Sequence, residues 1–185
     1  MQLHDPQPLV LGDVILDWGW AEASSPMRPI AALPSIQAIV AKRAAATELR
    51  PGEEVEVATS LLLDRLGLLA FFIQHPTSWF TGTVPRAELA GIRVMGMFRD
   101  PYKVDTMGPF VTDGHARTAG LGIAAFKPGN VRGRLIVVAD DIAGDWCLIE
   151  GNNRCVSFLQ LADAPEIDVE VIVGVCGAAR QWPGW

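Results

Sequence analysis

The chain has 185 residues, 50% of them hydrophobic and 19% charged, with a net charge of −6 and a pI near 5.0. That length and composition predict one folded domain over residues 1–185 with its own core, and exclude a disordered or low-complexity chain. Lys42-Arg43, and Arg132 with Arg134, are only short basic pairs on an acidic background, which argues against non-specific binding to a nucleic-acid backbone.

Residues 8–16 are rich in branched apolar side chains and predict an early strand, followed by a loop with Pro26, Pro29 and Pro34. Ser35 is placed to cap a helix over 36–49, in which Ile36, Ile39, Val40 and Arg43 recur at helical spacing before Pro51-Gly52 ends it. A second, mostly buried helix follows over 53–75, with Asp64 and Arg65 on its wetter side and Pro76 closing it. Between 77 and 107, Gly82, Pro85, Gly91, Gly96 and Pro101 break the pattern into short pieces, with a strand expected over 92–98. The stretch 1–107 thus reads as mainly helical. Two apolar runs, 134–139 and 145–150, flank the turn Asp140-Asp141-Ile142-Ala143-Gly144 and predict a β-hairpin. It leads through Gly151 into a helix over 153–162, with Cys155, Phe158, Leu159 and Ala162 on one face, and then a strand over 167–175. The fold class expected is α/β (α+β), with a recognisable core over 130–176.

Cys147, Cys155 and Cys176 form no Cys-x-x-Cys pair and are too few for a disulfide framework, which fits a reducing compartment. The apolar stretch 55–73 is interrupted by Glu56, Asp64 and Arg65, so it reads as a buried helix and not a membrane span. With no basic start and apolar run at the N-terminus, a cytoplasmic location is expected. His4, His75 and His115 have no Glu or Cys at metal-ligand spacing, and no dinucleotide fingerprint stands at a strand-to-helix junction; no zinc, haem or flavin is expected.

The segment that carries chemistry is Glu150-Gly151-Asn152-Asn153-Arg154. A strand that turns sharply into a helix presents the helix's first unpaired N–H groups, and these with the helix dipole favour a phosphate or carboxylate. Gly151 permits the turn, Asn152 and Asn153 add side-chain amides, Arg154 adds a planar cationic fork, and Glu150 sets a carboxylate beside them. The bland reading gives Gly151 a strand-ending role, Asn153 a capping role, and Arg154 an ion pair with Asp163 or Glu166. Asp113-Gly114-His115 repeats the acid, Gly, polar pattern ahead of Arg117, and places an acid and an imidazole together near a helix start. Trp182 and Trp185 read as core, or as a cover for the cleft or a self-association surface.

The run Leu148-Ile149-Glu150-Gly151-Asn152-Asn153-Arg154-Cys155-Val156-Ser157-Phe158 resembles the signature of the ParB/sulfiredoxin superfamily, in which a hairpin leads into a Gly-x-x-Arg turn and helix and the turn commonly binds nucleotide phosphates. The resemblance covers roughly the last 50 residues. It implies a mixed sheet and a phosphate site made of Gly151, Asn152, Asn153 and Arg154, for a nucleotide or another phosphorylated small molecule. Any phosphotransfer or nucleotide hydrolysis, with a nucleoside triphosphate and Mg2+, would use Glu150 as acid or metal-linked carboxylate, with Asp113 and His115 as further catalytic candidates. This chain departs from the family's enzymes: Asn152 stands where sulfiredoxins place a catalytic Cys, and Asn152 and Asn153 stand where the free-serine kinases carry two His. A partition protein's added DNA-binding and dimerisation regions have no room after Val175. The second reading is therefore a non-catalytic protein-interaction module on the same fold, and the third a nuclease, weakened by the acidic charge and the lack of a dense carboxylate cluster. Homo-oligomerisation is left open by the sequence.

Overall fold

A computed structural model of the chain describes residues 1–23, 33–45, 47–50, 52–121, 133–160 and 167–185. Pro26, Pro29, Pro51, Arg132, Ala162, Asp163 and Glu166, and the side chain of Asp64, lie outside the described residues, and with them the expectations placed there.

The architecture is mixed α+β around a five-stranded mixed sheet of order β1-β2-β5-β3-β4. β1 (His4–Leu9), β2 (Ser78–Pro85) and β5 (Asp168–Val175) pair antiparallel in turn, β3 (Leu135–Ala139) runs parallel to β5, and β4 (Trp146–Glu150) closes the far side as the second strand of a hairpin with β3. The hairpin and the last strand form where the sequence predicts them. Their residues are buried almost throughout, because β3 and β5 are central and covered on both faces.

The first half departs further from expectation. The strand predicted over 8–16 is instead the end of β1 followed by α1 (Leu11–Ala23). Branched side chains suggested a strand, but Val14, Trp18 and Glu22 are buried at a spacing of four, and tertiary contact outweighs β-propensity there. α2 (Pro34–Ala44) opens on Pro34, with Leu33 at the cap position and no side-chain capping bond, so Ser35 does not cap it. Ile36 and Ile39 are buried, whereas Arg43 lies over the Trp20 ring at 4.3 Å. α3 (Glu53–Gln74) matches the expected helix but not its expected environment: Val55, Leu63 and Ile73 are exposed, and Arg65 turns inward to an ion pair of 3.1 Å with buried Glu22.

β2 was hidden in the sequence by Gly82 and Pro85, and by its place between two strands, which removes the simple alternation of an edge strand. The strand expected over 92–98 does not form. Arg93 alone bridges to the outer edge of β4, donating its N–H to Trp146 O at 2.7 Å and accepting from Leu148 N at 3.1 Å, before α4 (Gly96–Tyr102) begins. α5 (Met107–Thr112), α6 (His115–Thr118) and α7 (Asn152–Gln160) follow.

The helices divide between the two faces of the sheet. Phe110 of α5, Ala116 of α6, and Cys155 and Val156 of α7 pack with Leu135, Val137, Trp146 and Leu148 on one face. Val14 and Trp18 of α1, Leu61, Leu69 and Phe72 of α3, and Trp182 pack with Ile136, Val138, Cys147 and Ile149 on the other. Adjacent residues of β3 and β4 thus feed opposite layers, as strand periodicity requires.

Candidate functional site

β4 ends at Glu150, the chain turns at Gly151, and α7 starts at Asn152, so the strand–turn–helix forms as predicted. Gly151 has φ +96°, a left-handed conformation that disfavours any side chain, and a Cβ there would lie 2.6 Å from Leu135 Cδ2 and 3.1 Å from Arg154 Nε. Gly133, at φ +82°, closes on the same guanidinium from the other side, where a Cβ would meet both Arg154 Nη1 and Ala21 of α1. The Arg154 fork therefore sits between two left-handed glycines and under α1.

That position is enclosed. Gly151 is buried and Arg154 is only 4% exposed, so the guanidinium is not open to solvent. Arg154 Nη2 lies 3.6 Å from Glu150 Oε1, an i,i+4 pair that joins the strand end to the helix. Burial pushes the Arg154 pKa down, and the carboxylates of Glu150, then Asp17 and Glu22 from α1, oppose that shift by favouring its charge. Glu22 is itself paired with Arg65, and Asp17 Oδ2 accepts from Arg134 N at 3.4 Å. Asp163 and Glu166, the expected ion-pair partners of Arg154, lie outside the described residues; among the described ones, carboxylates come to it from β4 and, across more than a hundred residues, from α1.

The electrostatic consequence is that an incoming phosphate would meet Glu150, Asp17 and Glu22 as well as the arginine. The fork is held by the chain's own carboxylates, and its geometry serves the junction of β4, α7 and α1. Asn152 and Asn153 are half-buried, and each has a buried Oδ1 without a hydrogen-bond partner; Ser157 Oγ donates to Asn153 O at 2.8 Å.

Asp113 and His115 lie on the same face of the sheet as α7. Asp113 follows α5, is exposed, and accepts from Thr112 Oγ1 at 3.3 Å. His115 begins the four-residue α6, half-buried, with its ring 5.2 Å from that of Tyr102. Among the described residues no hydrogen bond or ion pair joins either of them to Glu150 or Arg154. No group of His, Cys, Asp and Glu among the described residues is arranged to hold a metal ion. The three thiols are free and buried, and burial pushes those of Cys147 and Cys155 up to about 12, far from a reactive thiolate.

Sequence reasoning missed a second feature on the opposite face. A groove of about 390 Å³ runs along Gly67, Leu68, Phe71 and Gln74 of α3, walled by Met95, Met97 and the Trp182–Gly184 segment. Its wall is firmly held: Trp182 packs on Phe72 at 5.4 Å, Gly96 N donates to Gly184 O at 2.9 Å, Arg99 donates to Trp185 O, and Arg93 and Arg180 lie over the Trp185 ring at 5.8 and 5.7 Å. The signal available beforehand was a helix apolar on every side, which calls for cover on every side.

No family model matches this chain, and neither the curated proteins nor the solved structures compared with it give a match. No helix among the described residues is long and apolar enough to cross a membrane.

Proposed function

We propose that this chain keeps a ParB/sulfiredoxin-like strand–turn–helix as a structural element and works as a non-catalytic protein-interaction module. The observation that carries the reading is the enclosure of Arg154, 4% exposed and neutralised by Glu150, with Asp17 and Glu22 close by. An arginine kept for an incoming anion is left accessible and under-neutralised, and this one is neither. The recognition surface is the uncovered side of α3, where Leu63 is 82% exposed, with its groove, where Met97 is 65% exposed and shares the lining with Phe71 and Trp182. Apolar helix faces and methionine-rich grooves suit the burial of a partner's apolar segment.

A second reading, binding of a nucleotide or other phosphorylated small molecule at Gly151–Arg154, is favoured by the left-handed Gly151 directly before α7 and by the unengaged Asn152 and Asn153 oxygens. A thermal-shift panel of ATP, CTP, GTP, ADP and inorganic phosphate, with and without Mg2+, separates the two, because a ligand that binds only the folded state raises its stability. The interaction-module reading expects no shift with any of them. A shift of several degrees that is abolished in Asn152→Asp, which sets a further carboxylate at the start of α7, would return the site to phosphate and make Glu150 the acid to test for turnover.

A further inference from the structure

We draw no further inference here: the strongest candidate, the apolar groove between α3 and the Trp182–Gly184 segment, belongs to the surface already described, and nothing in the structure shows what covers it.

Discussion

Arg154 illustrates how a residue chosen for chemistry by its neighbours in sequence is claimed by its neighbours in space. Its guanidinium is buried with Glu150 and lies under α1. Removing it leaves Glu150 without its cation and a cavity under α1, so Arg154→Ala should destabilise the fold by about 3 kcal/mol in urea unfolding, where a surface arginine would cost a few tenths. Glu150→Gln alone should cost less, and the double variant less than the sum, since the two act as a pair. Gly151→Ala should cost about 2 kcal/mol or more from its left-handed backbone and the approach to Leu135 Cδ2. The sequence was sufficient to place a turn at Gly151, because only local backbone geometry is at stake. It could not tell a ligand-binding arginine from an enclosed one, because Asp17 and Glu22 reach it only through the packing of α1.

The pairing of β2 with β5 sets Trp79 opposite Gly174, and the indole lies against the glycine, 2.6 Å from where a Cβ would stand. With Trp79 buried among Phe72 and Trp182, it has no room to move, so Gly174→Ala should cost about 1–3 kcal/mol, partly recovered by a smaller residue at position 79 in a double-mutant cycle. At the start of α3, Glu53 accepts from Lys42 Nζ at 2.6 Å and from Arg50 N at 2.7 Å, and these bonds, that of Lys42 foremost, hold its pKa down from 4.5 to about 2. A carboxylate depressed in the folded state stabilises it above the unfolded pKa and stops doing so as pH falls through the folded one. The Tm advantage of wild type over Glu53→Gln should therefore be full above pH 4.5 and vanish by about pH 2. An advantage that persists below pH 2, or is absent at neutral pH, would show that Glu53 does not anchor the α2–α3 connection.

The sheet joins the two halves of the chain, since β1 and β2 from the first half extend a sheet whose other three strands lie after residue 133. Its stability should grade from edge to centre. β1 is paired on one side only, carries Pro6 and Pro8 without N–H groups, and is mostly exposed. Its amides should exchange with deuterium at least about 100-fold faster than those of Val137, Val138, Ile172 and Val173, which lie in strands paired on both sides. The long helix, the hairpin, the Gly151 turn, α7 and the last strand were all legible in the residues, because periodicity and turn chemistry are local and these segments obey them. The swap of the early strand for α1, the presence of β2, the reduction of 92–98 to a single bridging residue, the enclosure of Arg154 and the bare side of α3 were not legible. Each depends on which surfaces meet once the chain has folded: the same branched residues serve a strand or a helix, and the same arginine a ligand or a neighbour, according to contacts separated by tens to hundreds of residues.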